Sequence, residues 1–395
     1  MKIPALFLLS ILPATAMPEP PVAKFRAVTI DGGLKIGYGV AVSDVDGDGK
    51  PDIVLADANE TAWYRNPGWE KHQMTGPLSK ADHVCVAACD IDGDGKAELA
   101  AGGSWNPGDT VNSGDVFTLF PQEDRTKGML SARLHREPTV HRMNWVRDAA
   151  GDRFLAVLPL HGRGNKNGEG EGIRFLGYRP VRNSAAEILT GSVDWKTFLI
   201  NQDFHLAHNF QPVRWRSGDT GESLLVAEKE GVHLLSQAGE KWTATRLTTK
   251  GSGEVRLGRL PGGGRFIATV EPMHGSDVAI YPERDGAFAT RVLADATLNQ
   301  GHALVTGDFL GTGSDQVAAG WREPGKDGGK VGIRLYVPTT ADGGNWKLHA
   351  TIDDNTMACE DMKSADLDDD GRPDLIAAGR ATKNLVIYWN ETEKP

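Results

Sequence analysis

The hydrophobic and polar positions of the chain repeat in short units. In each unit, small and apolar residues alternate into an aspartate, an acid–glycine segment follows, and a second apolar run ends the unit. The clearest copies are VAVSDVDGDGKPDIVLAD at 40–57, VAACDIDGDGKAELAAGG at 86–103 and KSADLDDDGRPDLIAAGR at 363–380, with weaker copies at 143–160, 212–229, 255–272 and 304–321. Alternation interrupted by acid and glycine predicts a strand, a turn and a second strand. The sequence therefore predicts seven strand pairs.

Two further apolar stretches follow the pairs, and the last of them often carries aromatic and basic residues. Examples are 115–120 and 331–337 for the third strand, and 242–247 and 346–352 for the fourth. Four strands per unit at a spacing of roughly 54 residues are typical of a β-propeller. We predict an all-β fold, a seven-bladed β-propeller of four-stranded blades in one domain over 17–395. Two separate domains are the alternative, but no Pro/Ser-rich linker or composition shift interrupts the series.

The two ends of the chain complement each other in this arrangement. The last unit ends near Trp389 without an obvious fourth strand, whereas 24–30 stands alone as a strand before the first unit. We predict that this N-terminal strand completes the final blade and closes the ring, which leaves no exposed sheet edge there.

Composition excludes several classes of protein. The chain of 395 residues contains 48 glycines, which argues against a helical protein. It carries 53 acidic and 43 basic residues, a net charge of -10. This charge repels phosphate backbones and no basic patch offsets it, so we expect no nucleic-acid partner.

The N-terminus has the pattern of a secretory signal peptide over 1–16. An apolar stretch at 5–12 precedes the small residues Ala14-Thr15-Ala16. The stretch is too short to span a bilayer, so we predict an exported protein, periplasmic or secreted, with no integral membrane span. The chain has three cysteines, an odd number, and we expect that disulfides are not the scaffold.

The three clearest turns carry acids at a spacing that suits calcium. Oxygen ligands two residues apart, with glycines between them, converge on a single ion. The predicted calcium ligands are Asp44, Asp46, Asp48 and Asp52, then Asp90, Asp92, Asp94 and Glu98, then Asp366, Asp368, Asp370 and Asp374. Ordinary Asp/Gly turns are the alternative. The corresponding turn at 308–315 lacks two of the acids, so we expect no ion there.

These acidic turns, with the apolar runs after them, resemble the FG-GAP/VCBS repeats of integrin-type propellers. The resemblance covers all seven units and is strong in three of them. It implies structural Ca²⁺ in about three loops, which rigidifies the turns and takes no part in any chemistry.

The strand ends opposite the acidic turns surround the propeller axis, where ligand sites gather. Counting His205, seven of the eleven histidines fall at this mouth. When the units are aligned, His83, His141 and His208 share one register. Three imidazoles at one height suit Zn²⁺ or another divalent transition metal, with a fourth position open and His302 as a replacement ligand. Hydrogen-bonded pore histidines that hold water are the alternative.

The other groups at the mouth suit carbonyl chemistry. A metal or an arginine stabilises an oxyanion while a histidine or glutamate moves a proton. The predicted catalytic residues are His161, Arg163, Glu271 and His274, and the predicted substrate-binding residues are Arg142, Trp105, His302, Trp321, Arg322 and Arg380. In a non-catalytic carbohydrate pocket, the tryptophans would instead stack on sugar rings.

Several motifs resemble the propeller domain of the fungal aldos-2-ulose dehydratases. They are HRMNW at 141–145, LPLHGRG at 158–164, NQGHALVTGDF at 299–309 and EDMKSADLDDDGRPDLIAAGR at 360–380. In that family the mouth holds a metal and dehydrates keto-sugars such as 1,5-anhydrofructose or glucosone. The resemblance implies that His141, His161, His208 and His274 are catalytic or metal positions. It does not extend to the cupin domains of that family.

The leading hypothesis is an exported metal-dependent lyase that eliminates water from a keto-sugar. The metal and Arg163 would stabilise an enediolate, His161 or His274 would remove the α-proton, and Glu271 or a second histidine would protonate the leaving hydroxyl. A propeller that binds a carbohydrate or a protein without catalysis is one alternative, and a polysaccharide lyase is another.

Overall fold

The computed structural model describes residues 16–181, 194–324 and 329–394. These residues form seven four-stranded antiparallel sheets arranged as the blades of a propeller, so the predicted fold is confirmed. The predicted signal peptide lies outside the described residues, apart from Ala16. A single-turn 3-10 helix, Pro261–Gly263, is the one helical element among the described residues.

The strands follow the chain around the ring, four to a blade. Blade 1 contains β2 (Gly39–Ser43), β3 (Asp52–Asp57), β4 (Glu60–Arg65) and β5 (Glu70–Thr75), and blade 2 contains β6 (Cys85–Cys89), β7 (Glu98–Gly103), β8 (Asp115–Phe120) and β9 (Leu130–Arg133). Blade 3 contains β10 (Val140–Arg147), β11 (Arg153–Pro159), β12 (Phe175–Pro180) and β13 (Trp195–Asn201), and blade 4 contains β14 (Ala207–Val213), β15 (Ser223–Glu228), β16 (Gly231–Ala238) and β17 (Lys241–Arg246).

The remaining blades complete the ring. Blade 5 contains β18 (Glu254–Arg259), β19 (Arg265–Glu271), β20 (Asp277–Pro282) and β21 (Val292–Asp295), and blade 6 contains β22 (Gly301–Gly307), β23 (Gln316–Trp321), β24 (Gly332–Pro338) and β25 (Trp346–Asp354). Blade 7 contains β26 (Cys359–Ala365), β27 (Asp374–Gly379), β28 (Asn384–Asn390) and the N-terminal strand β1 (Phe25–Asp31).

The ring closes as the sequence predicts. β1 pairs antiparallel with β28, from Phe25 opposite Asn390 to Thr29 opposite Val386. The first strand of the chain is therefore the outer strand of the last blade, and strands from the two ends of the ring pair within one sheet. This closure protects the edge that β28 would otherwise expose.

The apolar core lies between neighbouring blades. Strand residues that alternate toward one face of a sheet pack against the facing sheet, as Val54 and Trp63 of blade 1 do against Leu99 and Phe117 of blade 2. Trp63 is fully buried. The three cysteines are free. Within the described part of the chain, no helix has the length and apolar character that a membrane crossing requires.

Candidate functional site

Four of the seven inner strands carry a β-bulge at the same end. The pairing register shifts between Val140 and Arg142, Ala207 and Asn209, Gly301 and Ala303, and Cys359 and Asp361. The extra residues at these shifts are His141, His208, His302 and Glu360. A bulge leaves one residue unpaired and changes the direction of its side chain. Four blades thus present a polar side chain at the mouth, away from the turns at the other end of the inner strands, three of which are the acidic loops.

The three histidines among them each have a ring that is hydrogen-bonded through Nδ1 to a main-chain carbonyl. Nδ1 of His141 donates to the carbonyl oxygen of His208 at 2.9 Å, and Nδ1 of His302 donates to that of Glu360 at 2.6 Å. Nδ1 of His208 donates to the carbonyl oxygen of Gly253 at 3.1 Å. A carbonyl only accepts, so the neutral rings carry their proton on Nδ1 and a lone pair on Nε2. This backbone bond is the support that metal-ligating histidines commonly have.

A fourth histidine, His274, joins this group from the turn after β19. Its Nε2 lies 2.9 Å from Nε2 of His208, and its ring stacks on that of His302 with 4.8 Å between centroids. Its backbone is left-handed at a φ of 56°, a conformation that non-glycine residues adopt at a cost of order 1 kcal/mol. The ligand nitrogens of His208, His274 and His302 all lie within 4.8 Å of one another. Three imidazoles are a donor set that fits Zn²⁺ with one position open.

Burial keeps these imidazoles neutral. Burial first, and then the charge of Arg142, holds the pKa of His141 and of His208 well below the usual histidine value. Burial, His208 and Arg322 hold the pKa of His302 and of His274 far below it as well. A histidine binds metal as the neutral base, so His208 and His302 are in the ligating state near neutral pH. Nε2 of His274 donates to Nε2 of His208 and would have to release that proton to ligate.

An arginine–glutamate network lies beside the histidines. Arg322 donates from Nη1 to both carboxylate oxygens of Glu360, at 3.1 and 2.9 Å, and Arg380 donates from Nη1 to the same carboxylate at 3.0 Å. The amide oxygen of Gln300 accepts from Nε and Nη2 of Arg322, at 3.0 and 2.9 Å. Two guanidinium groups facing one carboxylate leave a local charge of +1. The side chain of Arg380 is 41% exposed, so it is open to a ligand at the mouth.

The structure groups a different histidine triple from the one predicted by register. The ring of His83 is occupied between blades 1 and 2, because its Nε2 accepts from the backbone N–H of Leu78 at 3.1 Å and its Nδ1 bonds Thr61 Oγ1 of blade 1 at 3.2 Å. β6 begins after His83 and has no bulge, so nothing turns this side chain toward the axis. His208 lies in the cluster with the replacement ligand His302, and His141 lies beside it with 4.6 Å between the two ring centroids.

Of the four predicted catalytic residues, the structure brings His274 into the cluster. Glu271 is fully buried in blade 5 and accepts hydrogen bonds from Thr269, Tyr281 and Arg291 at 2.9, 2.5 and 2.7 Å. These bonds occupy the carboxylate and leave it unsuited to move a proton.

The other two predicted catalytic residues have different surroundings. Arg163 donates to the carbonyl oxygen of Val111 at 3.0 Å and reaches Glu137 at 3.5 Å. Its guanidinium is thus held by this carbonyl and carboxylate. His161 bonds Thr139 through its main chain, and its buried Nδ1 has no hydrogen-bond partner among the described residues.

The predicted substrate-binding residues divide between several positions. Trp105 stacks on His141 with 4.9 Å between ring centroids, at the edge of the cluster. Trp321 is buried, donates to the carbonyl oxygen of Lys330 and is covered by Arg334, so it has no free face for a sugar ring. Arg322 and Arg380 lie at the mouth, whereas Arg142 lines the central channel.

The acidic loops bring most of their predicted ligands together. The groups with converging oxygens are Asp44, Asp46 and Asp48, then Asp90, Asp92 and Asp94, then Asp366, Asp368 and Asp374. Asp52 and Glu98 instead accept backbone N–H groups that close their loops, and Asp370 pairs with Arg372. Burial raises the pKa of Asp52 to about 7, with Asp46 and Asp48 adding to it, and burial likewise raises the pKa of Glu98 to about 7 and of Asp374 to about 6.

Three residues acquire roles that sequence reasoning did not assign. Glu254 and Glu360 fall at starts of first strands, where the sequence places polar groups around the mouth. Each has a partner from the preceding blade: Glu254 bonds Nδ1 of His208 at 3.1 Å, and Glu360 accepts from Arg322 at 2.9 Å. Gln300, which is held at a φ of 56°, positions Arg322. Of the three, Glu360 is the extra residue of a bulge, and that bulge has no recognisable signal in the sequence.

Fold and site together define a seven-bladed β-propeller with a histidine cluster at one mouth and acidic loops at the other face. Residues 44–101 match the family model described as an FG-GAP-like repeat. No curated protein matches the sequence.

Solved structures share the fold at low sequence identity. A chain from the crystal structure of the mitotic checkpoint complex matches with a TM-score of 0.56 and 12% identity, over 100% of this chain and 99% of that one. A chain from the crystal structure of BBS1N in complex with ARL6DN, soaked with mercury, matches with a TM-score of 0.56 and 14% identity, over 94% of this chain and 98% of that one. At these identities the likeness concerns the fold alone.

Proposed function

We propose that the protein is a metal-dependent lyase that eliminates water from a keto-sugar at the histidine mouth. The observation that carries the proposal is the convergence of the ligand nitrogens of His208, His274 and His302 within 4.8 Å. This triple replaces the one predicted by register. The resemblance to aldos-2-ulose dehydratases supplies the substrate class, with 1,5-anhydrofructose and glucosone as the compounds to test.

The donor set supports a transition metal. Two of the three rings have Nδ1 bonded to a main-chain carbonyl, which leaves Nε2 of His208 and His302 unprotonated. Zn²⁺ prefers imidazole nitrogen and, in catalytic sites, keeps one position for water or substrate. A metal bound there would polarise a carbonyl oxygen and acidify the adjacent C–H group.

The chain's own residues supply charge and proton transfer. Arg380, with its exposed guanidinium, is placed to bind an oxyanion, and the surplus positive charge around Glu360 favours that anion. His141 offers a neutral imidazole beside the cluster. Its Nε2 accepts from Nη1 of Arg142 at 3.2 Å and would exchange this bond for the α-proton, which it would then return to the leaving hydroxyl so that water departs. Glu271 and Arg163 have no part in this version of the mechanism, because other side chains and carbonyls hold them.

The same proposal includes calcium and export. We propose that structural Ca²⁺ occupies the three acidic loops and that residues 1–16 direct the protein out of the cytoplasm. Calcium would neutralise carboxylates whose pKa burial and neighbouring acids raise in its absence.

Incubation with keto-sugars tests the lyase. Purified protein is mixed with 1,5-anhydrofructose, glucosone and a uronate polymer, and the absorbance of unsaturated products is followed. The proposal expects product from a keto-sugar, loss of activity in His302→Ala, and retention in His135→Ala, a histidine half-exposed at the surface. Product from the polymer alone identifies a polysaccharide lyase. Ligand binding without product from any substrate supports a non-catalytic binding propeller and overturns the lyase.

A further inference from the structure

The inner strands of all seven blades surround a central cavity of about 390 Å³. Its wall adjoins the histidine mouth at Arg142, which bonds His141. The four clustered histidines lie outside the lining, which extends along the strands toward the ends that carry the acidic loops. Most of the wall is apolar or small, and the charged groups in it are Arg142, Arg256, Asp361 and Lys363.

Arg142 is a buried cation with an incomplete set of partners. The residue is 8% exposed. Its Nη1 donates to the carbonyl oxygen and Nε2 of His141, at 3.1 and 3.2 Å. Its Nε and Nη2 have no hydrogen-bond partner among the described residues. Leaving buried charged donors without an acceptor is costly, so these two nitrogens define a place for an acceptor from outside the chain.

The neighbouring charges leave a surplus of one positive charge. Arg256 pairs with Glu254 at 3.4 Å, and Lys363 pairs with Asp361 at 3.0 Å. The three cations and two carboxylates of this group leave a net charge of +1. A single negative charge would balance the group.

We propose that the channel binds a small monocarboxylate through Nε and Nη2 of Arg142. These two nitrogens form one edge of the guanidinium plane, and that edge matches the two oxygens of a carboxylate in parallel hydrogen bonds. Apolar side chains such as Val40, Val86 and Val305 line the same cavity and contact the hydrocarbon part of an organic acid. A spherical anion can accept from both donors at a single point, but it makes no use of the apolar wall and cannot form two parallel hydrogen bonds. This site does not depend on the proposed lyase.

Thermal unfolding and isothermal titration with acetate test the site. Acetamide is the neutral analogue, and sodium chloride at equal ionic strength controls for charge. Ligand that binds the folded state raises the melting temperature in a concentration-dependent way. We expect acetate to raise the melting temperature more than chloride does, and acetamide not to raise it. In Arg142→Met, we expect the acetate affinity measured by titration to fall by at least about tenfold. Arg163→Met is the control, because Val111 and Glu137 hold its guanidinium.

Two further variants keep the test decisive. Arg142→Lys retains the charge but lacks the two-donor edge, so it serves if Arg142→Met does not fold, and it is also expected to lose acetate affinity by about tenfold. His302→Ala is expected to keep the acetate response, which separates this site from the mouth. The proposal is overturned if acetate causes no shift, if chloride or acetamide matches it, or if the Arg142 variants bind acetate as the wild type does.

Discussion

Nδ1 of His302 donates a 2.6 Å hydrogen bond to the main-chain carbonyl of Glu360 on the next inner strand. The bond joins blades 6 and 7 and turns Nε2 of His302 toward His208 and His274. Both partners are the extra residues of β-bulges. The same irregularity that interrupts the sheet pairing therefore orients a candidate metal ligand and brings the Glu360 carboxylate beside Arg322 and Arg380.

The first prediction concerns the oxyanion partner. Arg380→Met removes a guanidinium that is open to the mouth, and we expect the rate of keto-sugar elimination to fall about 10²–10³-fold with metal content unchanged. Arg163 is predicted to be catalytic, but in the structure its guanidinium contacts Glu137. We therefore expect Arg163→Met to leave the rate within about twofold. Steady-state kinetics of both variants measure the difference. Equal losses in the two variants would refute the assignment of Arg380.

The second prediction concerns ring closure. Deleting residues 17–30 removes most of β1 and exposes the edge of β28, so we expect a lower melting temperature and aggregation of the whole domain. Deleting only 17–23 keeps β1 and is expected to have a smaller effect, because it removes contacts such as the exposed ion pair of Glu19 with Lys347. Calorimetry and light scattering compare the two. Equal melting temperatures for the longer deletion and the full chain would contradict this account of closure.

The third prediction concerns pH and Asp57. Its carboxylate accepts backbone N–H groups of Lys35, Ile36, Gly37 and Ala58. Burial alone would raise the pKa of Asp57, but these bonds outweigh burial and lower it. The unfolded chain then takes up the proton first as the pH falls, so the stabilisation is present near neutral pH and is lost below about pH 4.

Urea unfolding of Asp57→Asn measures this effect. We expect the variant to be less stable by about 1–3 kcal/mol at pH 7, because hydrogen bonds to a charged acceptor become bonds to a neutral one. The difference from the wild type should shrink as the pH falls toward 3. A difference of the same size at pH 7 and pH 3 would show that the ionised carboxylate is not the source of the stability.

The fourth prediction concerns calcium. EGTA should lower the melting temperature and Ca²⁺ should restore it, with about three ions bound per chain. Asp92→Asn changes a carboxylate that converges with Asp90 and Asp94, so we expect one ion fewer. Asp308→Asn lies in the loop where Leu310 and Thr312 replace two acids, and it should leave the stoichiometry unchanged. Calcium titration by calorimetry gives the number of ions bound per chain. A melting temperature that does not change with EGTA would show that calcium does not stabilise the fold.

The sequence predicts the fold well because each repeat carries its own local signal. Alternation into an aspartate and an acid–glycine turn is a property of neighbouring residues, so β3, β7 and β27 are visible without knowledge of the rest. The closure by β1 is also predictable, because the last unit of the sequence lacks a fourth strand and one unpaired strand precedes the first unit. Both predictions are confirmed.

The site was predictable only in part because its geometry depends on contacts between blades. Aligning the repeats places His83, His141 and His208 in one register, but β10 and β14 have bulges at their histidines and β6 has none. His274 enters from a turn whose backbone conformation is not encoded by strand periodicity. Glu271 has a suitable position at the end of β19, yet Arg291 and Tyr281 bind its carboxylate, and neither contact is visible in the repeat pattern.

The most direct test of the central claim is the transition-metal content of the purified protein, with the position of the metal fixed by anomalous diffraction. The account predicts one ion per chain, bound by His208, His274 and His302, and lost in His208→Ala and His302→Ala. His83→Gln should retain it, because that ring bonds Thr61 of blade 1 and Leu78 of the following loop instead of the cluster. Protein that holds calcium but takes up no stoichiometric transition metal, even when Zn²⁺ is supplied, would contradict the claim.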